Sequence, residues 1–386
     1  MLKLISRHKM NTLTPNTRLY SLDALRGFDM LWIIGGERVV SYLAKASNLG
    51  FMQTIAIQME HVEWEGFRCY DLIMPLFLFM VGMAIPFSMN KRIASGESHR
   101  RILLHAIKRS AILFVLGGMC QCNFLTLDPS RMFFMHDTLQ SIAVGYFISL
   151  LIYIKLSPKW QVGVTVSLLF AFWVILYLVP VPGHAAGICT PDINTSRYFE
   201  HWLLGSFDDA PSHYTWVLSS LGFIATVMSG VFASRIIISN TFKLSFLKFQ
   251  NQMTSKAFMI ALVGAILVVV GSAINLQYPI VKHIWNPTFV IFSSGLCFLL
   301  IATFYYVIDV KGFKRWSFWL RVIGMNSIFV YMATHFIDFE SVVQRVIFGL
   351  EQFTLAYYPF IKSVAALGLI YIIMYWMYKK GTFIKV

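Results

Sequence analysis

Ten apolar stretches recur along this chain of 386 residues, each near the length that a helix needs to cross the hydrocarbon core of a bilayer. The sequence is 57% hydrophobic and 13% charged, whereas soluble domains are about 25% charged. We therefore predict an all-α polytopic membrane protein, a single transmembrane domain (1–386) with about ten spanning helices. The predicted spans are residues 27–46, 70–89, 102–120, 138–155, 161–180, 215–234, 257–275, 287–308, 318–336 and 357–378.

The basic residues predict the orientation of these spans. If both termini are cytoplasmic, the cytoplasmic tails and loops hold 24 of the 32 Lys and Arg residues, and the opposite side holds the other 8. Cytoplasmic loops of membrane proteins carry this excess of positive charge. The net charge of +14 is then mainly a topology signal, and its spread over short loops argues against nucleic-acid binding. The first 19 residues lack an apolar core, so no signal peptide is expected and a bacterial cytoplasmic (inner) membrane is favoured.

Ionisable side chains in the first two predicted spans indicate more than an anchoring role. Asp29 and Glu37 fall within the first span, and Asp71 begins the second. A charge at the centre of a bilayer costs about 2.5–3.5 kcal/mol on insertion scales, and ionisable residues at that depth usually serve a function. The sequence therefore predicts chemistry or charge movement in this part of the molecule.

The loop between these two spans contains a histidine among acids. Residues 60–71 include His61 and three glutamates that precede Asp71. A histidine beside a carboxylate can act as a base or a nucleophile near neutral pH. A loop histidine among acids can also be simply solvated, but the buried acids on both sides of the loop favour a site. His61 is therefore the catalytic candidate, with Asp71 or Glu37 to orient it and to stabilise its charged form.

Other candidate binding residues are aromatic or cationic. Trp64 and Trp285 are aromatic candidates for contact with a ligand, although tryptophan also serves as an interfacial anchor. A phosphate-bearing cofactor would need cytoplasmic cations, for which Arg26, Arg101 and Arg109 are candidates, although they could act only as topology determinants. The sequence has no nucleophile elbow, phosphate loop or dinucleotide fingerprint, and no histidine pair with metal-ligand spacing. No metal is therefore expected.

Two long outer loops complete the predicted organisation. Residues 181–214 form the longest non-apolar stretch, and a loop of that length in a compact chain is usually functional. Residues 337–356 could form a short amphipathic helix.

Several short motifs occur in order along nearly the whole chain. They are Arg18 to Gly27, His61-x-x-Trp64-x-Gly66, Asp71 to Pro75, Leu139-Gln140, residues 178–183, 203–205, 310–312 and 324–328. Each motif is weak alone, but in this order and spacing the sequence resembles the transmembrane N-acetyltransferases typified by heparan-alpha-glucosaminide N-acetyltransferase and their bacterial relatives.

The resemblance implies an activity. Enzymes of this family take acetyl from cytoplasmic acetyl-CoA and deliver it to an amino sugar across the membrane. Acetyl-CoA is thus the expected co-substrate, a glucosamine or glucosaminide the expected acceptor, and a homodimer the suggested assembly. The family's catalytic histidine falls on His61 and a family acid on Asp71. Where the family has an asparagine this chain has Glu37, which could change the acceptor or supply a carboxylate base.

Under this assignment Trp64 and Trp285 could stack on the sugar ring, and additional polar residues are candidates. Asp29, Asn286 and Asn326 are candidate contacts to the sugar or the thioester carbonyl, and Gln140 is a candidate cofactor contact.

The mechanism and two other functions stay open at this point. An amine must be neutral to attack a thioester, so a base has to remove a proton, which contributes about 10²–10⁴-fold to a rate. His61 could be that base or could carry the acetyl group covalently. The alternatives are a proton-coupled transporter that uses Asp29, Glu37 and Asp71 as a relay, and a scaffold for envelope synthesis.

Overall fold

The chain folds as a bundle of α-helices, which confirms the predicted fold class. The computed structural model describes residues 19–47, 49–208, 212–239 and 251–384, so part of the basic charge used to predict orientation (1–18 and 240–250) lies outside the described residues. Within these ranges no strand occurs beyond two isolated bridges. The helices are α1 (Tyr20–Leu31), α2 (Glu37–Ser47), α3 (Gly50–Gln58), α4 (Ile73–Ala94), α5 (His99–Gln121), α6 (Thr138–Lys155), α7 (Pro158–Leu178), α8 (Thr195–Leu204), α9 (Ser220–Ile238), α10 (Gln252–Asn275), α11 (Pro287–Phe304), α12 (Phe318–Gly324), α13 (Ser327–Phe336), α14 (Phe339–Ile347), α15 (Glu351–Thr354) and α16 (Tyr358–Lys379).

Among the described residues, eight helical segments are long and apolar enough to cross a membrane, which supports a multi-pass membrane protein. The first and ninth predicted spans are instead broken helices. A π-helical stretch, Trp32–Gly36, separates α1 from α2, and Gly35 within it has a φ of +126° that favours glycine. A turn at Met325 and Asn326 separates α12 from α13. The count of ten and the cytoplasmic placement of both termini remain predictions.

The predicted start of the sixth span, at residue 215, is wrong, because α9 begins at Ser220. Residues before it form a turn held by hydroxyl groups. Thr215 Oγ1 lies 2.9 Å from Ser196 Oγ and 2.8 Å from Ser219 Oγ. Ser219 Oγ in turn donates to the Ile284 carbonyl at 2.8 Å. This turn therefore ties the outer loop to the segment that precedes α11.

Helices α4 and α9 lie in close contact at the centre of the bundle. A Cβ on Gly82 would overlap the Val227 carbonyl, and a Cβ on Gly230 would overlap the Phe79 carbonyl. The two backbones therefore meet where the glycines lie, as small residues allow in membrane helix pairs. Helices α5, α7 and α10 lie at the periphery, with most of their residues unburied. The buried helix α4 follows Asp71 directly and so provides a rigid support for that residue.

Candidate active site

The loop between α3 and α4 brings His61 and Asp71 together. His61 Nδ1 lies 2.8 Å from Asp71 Oδ1, and the histidine side chain is 45% exposed whereas Asp71 is fully buried. The backbone amides of Val62 and Arg68 donate to Asp71 Oδ2 at 3.4 and 3.0 Å. The Asp71 carboxylate thus holds the backbone of the loop in place and fixes the position of the half-exposed His61 ring.

Lys282 is the third member of this cluster. Its Nζ lies 3.1 Å from Asp71 Oδ1 and 2.8 Å from His61 Nδ1, and its side chain is only 5% exposed. Burial lowers the pKa of Lys282 to about 8, against the opposing effect of the Asp71 carboxylate. In the sequence, Lys282 is one of the eight basic residues on the predicted outer side. Its position in a short apolar stretch between two spans is the feature that could have identified it as a site residue.

Backbone contacts hold the Lys282 segment against the His61 loop. The Gly66 amide donates to the Ile280 carbonyl at 2.9 Å, and Glu65 forms an isolated antiparallel bridge with Val281. Gly66 has a φ of +115°, which favours glycine at this approach. Residues 280–282 therefore lie alongside residues 65–66, although the two segments are far apart in the chain, and this contact places Lys282 beside Asp71.

Two predicted substrate contacts in the same segment instead serve its folding. Asn286 caps α11, since its Oδ1 accepts from the Phe289 amide at 3.0 Å, and its Nδ2 donates to the Pro279 carbonyl at 2.7 Å. Trp285 is 2% exposed, and its Nε1 donates to Thr226 Oγ1 at 3.2 Å. The Trp285 ring is thus packed inside the protein, where it is not available to stack on a sugar.

Aromatic side chains line the region around the cluster. Trp64 stacks on His283 with ring centroids 5.3 Å apart, and Tyr214 covers His283 at 4.3 Å. Tyr70 packs against His61 at 4.8 Å. Burial and the neighbouring Lys282 lower the pKa of His283 to about 4, so this second imidazole is neutral at physiological pH.

Asp29 of α1 and Glu37 of α2 lie near the cluster but form no hydrogen bond with His61 among the described residues. Asp29 is fully buried, and neither of its carboxylate oxygens has a hydrogen-bond partner within the described ranges. Glu37 pairs with Arg38 at 3.4 Å, and Arg38 also pairs with Glu340 of α14 at 3.5 Å. Both acids exert an electrostatic effect on Tyr70, the residue packed against His61.

Two of the predicted cofactor-binding arginines line one cavity. Arg26 of α1 and Arg109 of α5 border a space of about 570 Å³ that continues along α4 past Val81 to Phe77. The Arg109 guanidinium lies 4.6 Å from the centre of the Tyr146 ring, and its buried Nε has no hydrogen-bond partner among the described residues. Asp23 also lines the cavity and lies 3.9 Å from Arg26 Nη1. The cavity thus has two guanidinium groups and one carboxylate among mostly apolar lining residues.

The other predicted contacts on this side are not among the residues that line the cavity. Arg101 is exposed in the first turn of α5 and does not line the cavity. The Gln140 amide is used locally, accepting from the His136 amide at 2.9 Å and donating to the Phe134 carbonyl at 3.1 Å. Asn326 holds the C-terminal segment, since its Nδ2 donates to the Thr382 carbonyl at 3.2 Å and its Oδ1 accepts from the Ile384 amide at 3.0 Å.

No group of three or more His, Cys, Asp and Glu side chains suited to a metal ion occurs in the part of the chain that the structure describes. The groups that meet at the site are the His61 imidazole, the Asp71 carboxylate and the Lys282 ammonium.

Comparisons with known proteins agree with the resemblance seen in the motifs. A domain family of unknown function, DUF5009, matches residues 18–188. Heparan-alpha-glucosaminide N-acetyltransferase of Mus musculus is 24% identical over 85% of this chain and 56% of its own length. The Homo sapiens protein of the same name is 24% identical over 98% of this chain and 61% of its own length.

The chain is a distant homologue of heparan-alpha-glucosaminide N-acetyltransferase. It spans less than two thirds of the length of these two relatives, at 56% and 61%.

Proposed function

We propose that the protein is a transmembrane N-acetyltransferase that moves acetyl from cytoplasmic acetyl-CoA to the amino group of a glucosamine or glucosaminide on the outer side. The observation that carries this proposal is the contact between His61 and the buried Asp71 carboxylate at 2.8 Å. A half-exposed imidazole held by a buried carboxylate is suited to take up a proton from a bound amine. The distant homology supports the acyl-transfer chemistry.

The transfer moves one proton by way of His61. Nε2 of His61 removes a proton from the acceptor amine as the amine nitrogen bonds to the acetyl carbonyl carbon. The carbon–sulfur bond then breaks, and the CoA thiolate leaves and takes up that proton from the His61 imidazolium, which restores the base. Asp71 stabilises the imidazolium that forms, because its carboxylate lies against Nδ1. In the alternative relay, Nε2 itself accepts the acetyl group before the amine does.

The arginine-lined cavity supports a donor site for acetyl-CoA. Arg26 and Arg109 offer guanidinium groups that suit phosphate oxygens. The unpartnered Nε of Arg109 is a donor that a phosphate could satisfy. Phe77, at the far end of the cavity, follows Asp71 by six residues, about 9 Å along a helix axis. The cavity therefore extends from the basic groups toward the His61 cluster.

The decisive experiment follows the label across a sealed membrane. Inside-out vesicles that contain the protein are loaded with glucosamine or a short glucosaminide, and labelled acetyl-CoA is added outside. We expect label on the enclosed amino sugar with the wild-type protein, and its loss with His61→Ala. Glu63→Gln is the matched control, because Glu63 lies exposed in the same loop, and it should transfer acetyl at the wild-type rate.

The outcomes separate the proposals. Absence of transfer to every acceptor would sink the acetyltransferase function, and transfer that survives in His61→Ala would remove His61 from the chemistry. Label that remains on the protein when acceptor is omitted would favour the covalent relay. Direct transfer predicts no labelled enzyme.

A further inference from the structure

A buried cation lies against the proposed catalytic pair and has no role in the mechanism described so far. Lys282 Nζ is 3.1 Å from Asp71 Oδ1 and 2.8 Å from His61 Nδ1. Asp71 is fully buried and Lys282 is 5% exposed. A carboxylate in such a dry site would tend to take up a proton unless an opposite charge compensates it. The Lys282 ammonium provides that charge at direct contact.

The distances also indicate which nitrogen of His61 carries its proton. Lys282 Nζ lies 2.8 Å from Nδ1 but also 3.5 Å from Nε2. An atom in line with the Nδ1 lone pair would be much farther from Nε2, so the ammonium lies beside the ring. The in-plane position at Nδ1 is then left to Asp71 Oδ1, at 2.8 Å. A carboxylate there calls for a proton on Nδ1, which leaves the Nε2 lone pair available.

We propose that Lys282 is a positioning residue that keeps Asp71 ionised and thereby holds His61 in the Nδ1–H tautomer, with Nε2 free to act as the base. This inference rests on the proposed acetyl transfer for its effect on rate, but the tautomer itself is independent of the reaction. Lys282 lies beside the His61 ring but neither gives nor takes the transferred proton, and it acts through Asp71.

The titratable and charged groups around Lys282 come from three segments. On its own segment, His283 is neutral because burial and Lys282 lower its pKa to about 4. On the facing turn, burial and Asp71 raise the pKa of Tyr214 to about 12. Among the described residues, His213 of that turn and His61, Glu65 and Arg68 of the His61 loop are further neighbours. Burial lowers the pKa of Lys282 to about 8, so its ammonium is present at pH 7 and is lost as pH rises through 8.

The kinetic test compares Lys282→Met, Lys282→Arg and wild type in the vesicle assay between pH 6 and 10. Methionine keeps the length of the side chain without its charge, and arginine keeps the charge at every pH in this range. We expect Lys282→Met to lower kcat by about 10²-fold, in the lower range of a positioned base, with the KM for acetyl-CoA within threefold of wild type. Lys282→Arg should retain a tenth or more of the rate, and the loss in Lys282→Met should be greatest at the low end of the pH range, where an uncompensated Asp71 carboxyl keeps its proton. A wild-type rate and pH profile in Lys282→Met would overturn the inference.

A spectroscopic test does not depend on catalysis. The wild-type protein and Lys282→Met are labelled with ¹⁵N in their 10 histidines, and His61 is assigned by difference with His61→Gln. We expect the chemical shifts of an Nδ1–H imidazole in the wild-type protein at pH 7, and a tautomer mixture in Lys282→Met at the same pH, because the buried Asp71 carboxyl takes up a proton when the neighbouring cation is removed. An Nε2–H tautomer in the wild-type protein, or an unchanged Nδ1–H tautomer in Lys282→Met, would refute the role of Lys282. If both proteins show the expected tautomers but wild type transfers no acetyl, the proposed function fails and the assignment of Lys282 stands.

Discussion

Oδ1 of Asp71 contacts His61 and Lys282, and Oδ2 accepts from two backbone amides. Each carboxylate oxygen therefore already has two hydrogen-bond partners. Asp71→Asn replaces one oxygen by an amide nitrogen, which has to face a donor, and leaves the Lys282 ammonium uncompensated. We expect the rate of acetyl transfer to fall by about 10²–10⁴-fold, the usual contribution of an effective general base. Initial rates at saturating acetyl-CoA measure this, with Glu63→Gln as the control. A rate within threefold of wild type would show that Asp71 does not support His61.

Glu200 of α8 is a second buried acid, and it links the outer loop to the turn before α9. Both of its carboxylate oxygens accept from the Trp216 amide, at 3.0 and 2.7 Å. Burial raises the pKa of Glu200 from 4.5 to about 8. Between those values the folded protein keeps a proton that the unfolded chain releases. The contribution to stability is therefore fully present below pH 4.5 and is lost as pH rises toward and through 8.

This sign gives a testable dependence of stability on pH. The unfolding temperature of the detergent-solubilised protein should fall between pH 5 and pH 8, and Glu200→Gln should reduce that fall, because glutamine stays neutral while its oxygen still accepts from the Trp216 amide. Glu63→Gln, at an exposed position, should leave the fall unchanged. An equal fall in Glu200→Gln and wild type would mean that Glu200 is already ionised at pH 5.

At the scale of elements, the sequence could predict contacts within a loop but not those between distant segments. His61 and Asp71 lie ten positions apart at the start of a span, so their contact could be predicted. Lys282 lies 211 positions from Asp71, and only the tertiary fold creates that contact. Asn286 was assigned to substrate although it precedes Pro287, a pattern that is typical of a helix N-cap. A polar residue immediately before a proline is thus explained by capping of the helix that follows.

The packing of α1 against α12 depends on two glycines. A Cβ on Gly27 would overlap the Leu320 carbonyl, and one on Gly324 would overlap the Asp23 carbonyl. Gly27→Ala must therefore push the two backbones apart, at a cost of about 1–3 kcal/mol. We expect a lower unfolding temperature and a weaker affinity for acetyl-CoA, since Asp23 and Arg26 on α1 line the cavity.

The control for this change is Gly163→Ala, in the interior of α7, where a Cβ meets nothing within 4 Å. Alanine favours the helix there by about 1 kcal/mol over glycine, so the unfolding temperature should stay or rise. Equal behaviour of the two variants would contradict a tight contact between α1 and α12.

Over the whole molecule, α4 connects the two ends at which the proposed reaction is organised. The His61–Asp71–Lys282 cluster lies at its start, and the arginine-lined cavity runs along its later turns. Val81 lies ten residues after Asp71, about 15 Å along a helix axis, and lines the cavity. A donor that reaches from Arg26 and Arg109 toward His61 has to pass this position.

Val81→Trp therefore tests whether the cavity is the path of the donor. An indole ring at this position should overlap the path of the donor. The overlap should weaken donor binding by about 1–3 kcal/mol, which corresponds to about 5–150-fold in affinity or rate. Acetyl transfer into vesicles should fall accordingly, while Val166→Trp, at a position on α7 that is 60% exposed, should transfer like wild type. Both variants need the same unfolding temperature as wild type for the comparison to count. A wild-type KM for acetyl-CoA together with a wild-type transfer rate in Val81→Trp would mean that the donor reaches His61 by another route.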